Sequence, residues 1–600
     1  MPDQTAGDIK LPDPAEFSRH LMEIAGRSQK VVLDFLEKQG KGESGPVDPL
    51  NIGGAFMEMT TRMMGNPAKV AEAQLDLWKL HVDLWHNTAQ RFLGHHSQPL
   101  AAPARGDRRF SHSDWDENQI FDFVKQSYLV GARWMQQTIG AVEGLDDKTR
   151  AKVDFYTRQF VDAMAPSNFV LTNPEVLRAT IESGGENLVK GLRNMLADLE
   201  RGKGKIAIRM SDDSAFKVGE NVAISPGKVI FQNELIQLIQ YAPTTAEVYK
   251  RPLLIVPPWI NKFYILDLRP DNSFIKWAVD QGYTAFVVSW VNPDARLAHK
   301  SFEDYMQEGV LAALDAIHAS IGERKASVIG YCLGGTLLAA TLAYLAAKDD
   351  DRVKAATFFA AQVDFSEAGE LTVFIDEEQL RYMEDLMEKK GYLDGGEMAA
   401  TFNMLRANDL IWSFVVNNYL LGKDPFPFDL LFWNNDSTRM PATMHSFYLR
   451  NMYQKNLLVQ PGALKLCGMP IDLTKVKTPV YMQAGKEDHI APYGSVYKAA
   501  QQFSGLVRFV LAGSGHIAGV VNPPAAKKYQ HWLGDGKTNP PTIEDWLAQA
   551  SELPGSWWPD WDKWLSKKSG AKVPARDPAQ GRLHPIEDAP GSYVKVRSDG

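Results

Sequence analysis

Apolar residues recur at helical spacing through the first third of the chain. In residues 70–93, VAEAQLDLWKLHVDLWHNTAQRFL, the side chains of Trp78, Val82 and Trp85 fall on one face of a predicted helix. An apolar stripe of this kind is more often core than ligand pocket, so we expect these three side chains to be packed away from solvent.

Changes of composition along the chain predict its domains. Residues 1–50 are rich in Pro, Gly, Asp and Lys and predict a flexible N-terminal segment. Helical patterns dominate residues 51–204, interrupted only by the Pro-, Gly- and charge-rich residues 97–114, which predict a linker or long loop. We therefore expect an all-helical N-terminal domain.

The period of the pattern changes at about residue 205. KIAIRM, KVIFQNELIQLIQY and RPLLIVPPWI are typical of strands, and strands such as TAFVVSW then alternate with helical segments such as EDYMQEGVLAALDAIHASI. This alternation predicts a mostly parallel sheet with helices on both faces, an α/β domain over residues 205–600. Residues 366–451 lack the alternation and are rich in Phe, Leu, Met and Trp, which predicts a cap inserted into this domain.

One apolar run could be read as a membrane span. Residues 326–347, ASVIGYCLGGTLLAATLAYLAA, carry no charge and are long enough to cross a bilayer as a helix. Three glycines in the first half, Gly330, Gly334 and Gly335, and a β-branched start favour a buried strand, a tight turn and a buried helix instead. We expect no membrane span.

Charge and cysteine content exclude several classes of protein. The net charge of -8, from 65 basic and 73 acidic residues, offers no basic field for nucleic acid. The two cysteines, Cys332 and Cys467, cannot build a disulfide framework, and no metal-ligand spacing or P-loop is present. The start of the chain, MPDQTAGDIKLPDP, lacks the features of a secretory signal. We expect a cytoplasmic protein without a bound metal.

The segment Gly330-Tyr331-Cys332-Leu333-Gly334 fits the nucleophile elbow Gly-x-Ser-x-Gly, with cysteine in the serine position. The elbow needs glycines on both sides because the strand and the helix that flank its strained turn come close together. The pattern alone is weak, and a chance buried cysteine is the alternative. Its position between a predicted strand and a predicted helix favours the elbow.

A thiol nucleophile needs a base, because the thiolate is the attacking form. In the α/β-hydrolase fold the chain order is nucleophile, acid, histidine, and Asp488 and His516 follow Cys332 in that order, each just after a predicted strand. His489 is a competing base, and Asp488 could simply cap a helix that begins near Pro492. Cys467 lacks flanking glycines of this kind and is expected to be a small buried hydrophobe.

An oxyanion hole requires two hydrogen-bond donors. We expect one from the backbone N–H of Leu333, directly after the nucleophile, and one from the turn VPPWINKFYILD of residues 256–267, where Ile260 is the candidate.

With these residues in place, the chain resembles a class I poly(3-hydroxyalkanoate) synthase from about residue 50 to its end. The matching segments are PPWINKFYILDL, GYCLGG, RANDLIW, PFDLLFWNND, GKEDHI, GSGHIAGVVNPP and GSWWPDWDKWL. The resemblance implies an α/β-hydrolase catalytic domain with Cys332, Asp488 and His516 as nucleophile, acid and base. It also implies four side chains that line the substrate pocket: Trp433, Tyr448, Ile490 and Ala518.

The implied reaction transfers short 3-hydroxyacyl units from coenzyme A to a growing polyester through an acyl-cysteine. The resemblance implies no cofactor apart from the coenzyme A that the substrate releases. It also implies a homodimer in the cytoplasm, associated with polymer granules and their phasin-type proteins. Whether Asp488 only orients His516 or also helps to activate the 3-hydroxyl group stays open at this point.

Two other functions fit parts of the pattern. A cysteine thioesterase or hydrolase of the same fold would use the same triad with water as acceptor. A non-enzymatic granule-surface protein could use the helical tryptophan stripe or the cluster Trp557, Trp558, Trp561 and Trp564, although packing against the catalytic domain is the favoured reading of both.

Overall fold

The computed structural model describes residue 48 and residues 51–598, apart from residues 94, 96, 537 and 538. The predicted flexible segment 1–50 therefore lies outside the described residues except for Asp48. Contacts between residues divide the chain into two compact units. One unit comprises Met1–Asp212 with Phe402–Phe426, and the other comprises Asp213–Thr401 with Pro427–Gly600.

The first unit is helical, as its sequence predicts. Side-chain caps start several of its helices: Asn66, Asn118, Asp146 and Asn173 each accept a hydrogen bond from a backbone N–H of the first turn. Its main helices are α1 (Ile52–Met64), α2 (Pro67–Phe92), α3 (Gln119–Gly140), α4 (Asp147–Ala163), α5 (Pro174–Glu182) and α6 (Glu186–Arg201).

The apolar stripe of α2 faces solvent, so the expectation that it is core is wrong. Trp78 is 65% exposed, Val82 44% and Trp85 64%. Among the side chains of this helix that the structure describes, the buried one is Leu84, on the neighbouring face. Both faces carry apolar residues, and only the packing of the other helices decides which of them is covered.

The segment KIAIRM, residues 205–210, is predicted as a strand but forms none. Its backbone bonds to a side chain rather than to another strand: the N–H of Arg209 donates to the carboxylate of Asp198 in α6, at 3.1 Å. Alternating apolar residues predicted a strand here, but a strand also needs a partner, and none pairs with these residues.

The second unit is built on a sheet of eleven strands. In spatial order the strands run β10-β9-β8-β7-β6-β5-β3-β4-β2-β1-β11. They are β1 (Gly227–Gln232), β2 (Ile236–Tyr241), β3 (Leu253–Val256), β4 (Ala285–Trp290), β5 (Ala326–Tyr331), β6 (Val353–Phe359), β7 (Val480–Gly485), β8 (Val507–Ala512), β9 (Gln530–Leu533), β10 (Ser551–Pro554) and β11 (Glu587–Asp588).

Six neighbouring strands pair in parallel, in the spatial order β8, β7, β6, β5, β3 and β4. The strands outside these six pair antiparallel. Strands β3, β4, β5 and β7 are buried along their whole length, which is why their sequences are continuous apolar runs rather than alternating ones. The carboxyl ends of the parallel strands meet at one edge of the sheet, where ligands bind in open α/β folds.

Helices cover this sheet and make up the inserted segment. They are α7 (Phe274–Asp280), α8 (Ala312–Ile321), α9 (Leu333–Ala347), α10 (Glu377–Lys390), α11 (Gly395–Leu405), α12 (Asp429–Asn435), α13 (Ala442–Tyr448), α14 (Tyr493–Ala499), α15 (Ile543–Gln549) and α16 (Trp558–Ser566). Among the described residues, no helix combines the length and the apolar character that crossing a bilayer requires.

The predicted cap is not one body. Residues Phe402–Phe426, which lie inside the segment 366–451, belong to the helical unit. The hydroxyl of Tyr419 donates to the Asp198 carboxylate at 2.7 Å, and the Asn187 amide donates to the carbonyl of Leu420 at 2.8 Å. These partners are more than 200 residues apart in the chain, so a composition window could not assign the segment.

Candidate active site

Cys332 is the single residue between the end of β5 at Tyr331 and the start of α9 at Leu333. Its backbone has φ 51° and ψ -120°, a conformation that residues other than glycine adopt only under strain. Its N–H donates to the carbonyl of Phe359 in the neighbouring strand β6 at 2.9 Å. The elbow predicted from the sequence is therefore present, and it holds the thiol at the carboxyl edge of the sheet.

The positions that flank Cys332 must be glycine because a side chain at any of them would collide with neighbouring atoms. A Cβ on Gly330 would lie 2.5 Å from the Cα of Gly335. A Cβ on Gly335 would lie 2.3 Å from the Cβ of Ala361, and one on Gly334 would lie 2.1 Å from the carbonyl oxygen of Val256. Real Cβ contacts do not come under 3.0 Å, so each glycine is required by the close approach of strand and helix.

Asp488 follows β7 and is buried, and its two carboxylate oxygens do different work. Oδ2 lies 2.7 Å from Nδ1 of His516. Oδ1 accepts the backbone N–H groups of Ile490 and Ala491, each at 2.9 Å. The alternative that Asp488 caps the helix beginning near Pro492 is wrong, because α14 (Tyr493–Ala499) has no side-chain cap and Oδ1 instead stabilises the loop before it, while Oδ2 faces the histidine.

His516 lies in the loop after β8, with its ring buried between the acid and the thiol. Burial by itself lowers the pKa of His516, but the Asp488 carboxylate and the hydrogen-bonded sulfur of Cys332 outweigh it and raise this pKa well above 6.5. The hydroxyl of Tyr331 donates to the backbone carbonyl of His516 at 3.2 Å. The arrangement favours the protonated imidazole of His516 next to the Asp488 carboxylate.

Two tryptophans from the end of the chain hold the histidine loop. The indole N–H of Trp557 donates to the carbonyl of Gly519 at 2.8 Å, and that of Trp558 donates to the carbonyl of Val520 at 2.9 Å. Both rings are fully buried, so their packing against the catalytic unit is confirmed. Their role in supporting His516 was not predicted, because the sequence shows only that they are apolar and clustered.

Two family models and several curated proteins match this chain. Residues 106–278 match the model described as "Poly-beta-hydroxybutyrate polymerase (PhaC) N-terminus", and residues 262–523 match that of the alpha/beta hydrolase fold. The poly(3-hydroxyalkanoate) polymerase subunit PhaC of Rhizobium meliloti is 53% identical, over 98% of this chain and 96% of the relative. The poly(3-hydroxyalkanoate) polymerase of Methylorubrum extorquens is 50% identical, over 97% of each.

The chain belongs to the poly(3-hydroxyalkanoate) polymerase family. A third relative, the polymerase subunit PhaC of Cupriavidus necator, is 43% identical over 89% of both chains. The resemblance read from the sequence and the predicted α/β-hydrolase fold with a helical N-terminal part are both confirmed.

Of the residues expected to line the polymerase pocket, Tyr448 interacts electrostatically with Cys332. Burial, the neighbouring Tyr453 and the sulfur of Cys332 raise the pKa of the Tyr448 phenol. Tyr453 was not predicted, and its hydroxyl donates to the side-chain oxygen of Gln362 at 3.3 Å. The two phenols are thus candidates for contact with the polar part of a substrate.

The other three expected pocket residues differ in their surroundings. Ile490 and Ala518 are half-buried and each lies two residues from a triad member. Trp433 is buried in a separate apolar cluster from Tyr448, and its indole N–H donates to the carbonyl of Lys262 at 2.7 Å. A pocket role for these residues stays a prediction.

His516 bonds to Asp488 through Nδ1, which favours it over the competing His489 as the base. Cys467 differs from the expected buried hydrophobe: it is half-buried, its backbone N–H donates to the Glu303 carboxylate at 2.9 Å, and Gln307 donates to its sulfur at 2.7 Å. Burial and the Glu303 charge raise the pKa of the Cys467 thiol, which disfavours a nucleophilic thiolate there. Within the described chain, no three His, Cys, Asp or Glu side chains are grouped to hold a metal ion.

Proposed function

We propose that this chain polymerises short 3-hydroxyacyl units, such as 3-hydroxybutyryl, from their coenzyme A thioesters through an acyl-cysteine on Cys332. As a member of its family, the chain is an acyltransferase that converts hydroxyacyl-CoA into polyester. The observation that carries the covalent step is the strained Cys332 elbow next to the hydrogen-bonded pair of His516 and Asp488.

The reaction begins with attack of the Cys332 thiolate on the thioester carbonyl carbon. The negative charge moves to the carbonyl oxygen, where backbone N–H donors stabilise it. The expected donors are the N–H of Leu333, which as the first residue of α9 has no acceptor within its helix, and that of Ile260. The tetrahedral intermediate expels the coenzyme A thiolate, which takes a proton from His516, and an acyl-cysteine remains.

In the next step the 3-hydroxyl group of another hydroxyacyl-CoA gives its proton to His516 and attacks the acyl-cysteine. An ester bond forms and the Cys332 thiolate leaves. The thiolate then attacks the thioester of the extended chain and releases its coenzyme A, so one coenzyme A is released for each unit added. In this scheme Asp488 orients His516 and stabilises the imidazolium in every step.

Cysteine suits this cycle better than serine would. A thioester on Cys332 is as activated as the coenzyme A thioester from which it forms, so each transfer to a hydroxyl group is favourable. A serine ester would lose that activation before chain growth. Half-burial of Cys332 limits the access of water, which would otherwise release a free hydroxyacid.

The wider setting of the reaction also belongs to the proposal. No cofactor is needed beyond the coenzyme A group of the substrate. The growing polyester stays attached to the enzyme, so the enzyme works in the cytoplasm at the polymer granule surface, as a homodimer and alongside phasin-type proteins. The solvent-exposed apolar face of α2, with Trp78, Val82 and Trp85, supports contact with such a surface. The parts of segment 366–451 that belong to the catalytic unit act as a cap over Cys332 that moves to admit substrate.

The test is the release of coenzyme A from 3-hydroxybutyryl-CoA by the purified protein and by Cys332→Ala, with the acyl product collected and sized. We expect thiol release together with an insoluble polyester, and the loss of both in the variant. Thiol release with only soluble hydroxyacid would instead indicate a hydrolase. Unchanged release by Cys332→Ala would remove the thiol from the mechanism.

A further inference from the structure

The turn that follows β3 has its carbonyl groups anchored from outside. Each anchor is a hydrogen-bond donor from another part of the catalytic unit. The indole N–H of Trp290 donates to the Pro257 carbonyl at 2.8 Å, and the indole N–H of Trp433 donates to the Lys262 carbonyl at 2.7 Å. Thr438 donates twice: its hydroxyl bonds to the Trp259 carbonyl, and its backbone N–H bonds to the Ile260 carbonyl at 3.1 Å. A turn held at four carbonyls cannot rotate its peptide groups freely.

Thr438 supplies two of these four donors. It lies between α12 and α13, and its side chain is almost fully buried, with 1% of the residue exposed. The preceding residue, Ser437, forms an antiparallel bridge with Asn261 of the turn. The short segment around Thr438 therefore pairs with the turn as a strand would, and the threonine hydroxyl adds a contact that strand pairing alone does not provide.

The end of the chain holds the Thr438 segment in place. The hydroxyl of Ser598 donates to the carbonyl of Ser437, and the guanidinium of Arg439 donates to the carbonyl of Ser598 at 2.9 Å. The backbone N–H of Arg439 also donates to the side-chain oxygen of Asn292 at 2.9 Å. Because its neighbours on both sides are bonded, Thr438 is a rigid support rather than a mobile one.

The geometry of the peptide bond gives the Thr438 hydroxyl its significance. The carbonyl of Trp259 and the N–H of Ile260 belong to one planar trans peptide group and point in opposite directions. A donor that holds this carbonyl on one side therefore determines where the N–H points on the other. That N–H is the donor expected to complete the oxyanion hole.

We propose that Thr438 is a positioning residue for catalysis, whose hydroxyl orients the Trp259–Ile260 peptide so that the Ile260 N–H meets the oxyanion formed at Cys332. The inference rests on the proposed acyl-cysteine function. Thr438 acts through the turn and does not contact the substrate. Its effect is therefore on the stabilisation of the transition state and not on the binding of the ground state.

Three variants separate this role from a structural one. Thr438→Val keeps the shape of the side chain and removes the hydroxyl, whereas Thr438→Ser keeps the hydroxyl. The matched control is Thr341→Val in α9, because Thr341 is also fully buried and its hydroxyl donates to a backbone carbonyl, that of Leu337, at 2.7 Å. Thermal unfolding of each full-length variant measures the structural effect of the lost hydrogen bond.

The catalytic readout is the first burst of coenzyme A release from 3-hydroxybutyryl-CoA, measured by rapid mixing as a rate and an amplitude. We expect Thr438→Val to slow the burst by about ten- to a hundredfold, less than the 10²–10³-fold that loss of a whole oxyanion donor costs. The burst amplitude and KM should stay close to wild type. Thr438→Ser should recover most of the rate, and Thr341→Val should keep it.

An unchanged burst rate in Thr438→Val would overturn the inference. A reduced amplitude at an unchanged rate would also overturn it, because that result indicates a loss of folded enzyme. So would an equal slowing in Thr341→Val, because the effect would then follow from the loss of any buried threonine hydroxyl. If the wild-type protein itself shows no burst that depends on Cys332, the proposed function fails, and the inference fails with it. The wild-type and Cys332→Ala traces thus separate the two failures.

Discussion

Replacing Gly334 with alanine tests whether the close contact between α9 and β3 sets the distance from Cys332 to the turn after β3, which carries the expected oxyanion donor Ile260. The added Cβ would lie 2.1 Å from the carbonyl oxygen of Val256 and 2.8 Å from that of Pro257. Both neighbours are backbone atoms, so no side chain can turn away to make room. Val256 ends β3, and Pro257 begins the turn that carries Ile260.

The size of the effect follows from these distances. Ordinary van der Waals contacts of a Cβ begin at 3.4 Å, so helix and strand must separate by roughly 1 Å to accept the methyl group. The helix carries Leu333 and adjoins Cys332, whereas the strand leads to Ile260. A misplacement of about 1 Å between catalytic groups costs on the order of 10²-fold in rate. Overpacking of this kind also lowers the free energy of unfolding by about 1–3 kcal/mol.

The assay combines the burst rate of coenzyme A release with urea unfolding of the same preparation. Gly131→Ala is the matched control, because Gly131 lies inside α3 and a Cβ there meets nothing within 4 Å. This control should keep the wild-type burst rate and gain up to about 1 kcal/mol from helix propensity. If Gly334→Ala showed wild-type burst rate and stability, the argument from close approach would be refuted.

Two further predictions concern the charged and titrating groups. In Asp488→Asn, the amide oxygen should keep its hydrogen bonds to the N–H groups of Ile490 and Ala491, so the NH₂ group faces Nδ1 of His516. This contact selects the wrong tautomer of the histidine, and we expect acylation to slow by as much as about 10⁴-fold. A rate near wild type would contradict this expectation. Burial lowers the pKa of His445 to about 4, so its neutral form stabilises the fold above pH 6.5 and this stability is lost as the pH falls through 4. His445→Phe should therefore lose about 3 kcal/mol less than wild type between pH 7 and pH 4 in urea unfolding, whereas parallel pH profiles would refute the burial argument.

The placement of the candidate catalytic residues could be predicted because each part of the site is local in the chain. A strand that ends, a glycine-flanked cysteine and a helix that begins are all encoded within residues 326–347. Asp488 and His516 also stand directly after apolar runs that form β7 and β8. In a parallel sheet the carboxyl ends of such strands meet at one edge, so local pattern and topology together were enough to bring the three side chains close.

The supports of the site could not be predicted because each of them is a contact between distant parts of the chain. Thr438 bonds to a carbonyl 179 residues earlier, and Trp558 bonds to Val520 from beyond two further strands. A threonine in a loop has many possible partners, and no periodicity selects the one that is used. The same reason explains why residues 402–426 joined the helical unit.

The sequence by itself determined the position of the candidate nucleophile, the chain order of the candidate triad and the alternation that builds the sheet, because these depend on side-chain chemistry and short-range backbone preference. Tertiary structure alone decided which face of α2 is covered, which oxygen of Asp488 faces His516 and which side chains bond to the carbonyl groups of the turn after β3. These outcomes depend on which atoms compete for the same space and the same hydrogen bonds, and that competition exists only once the chain has folded.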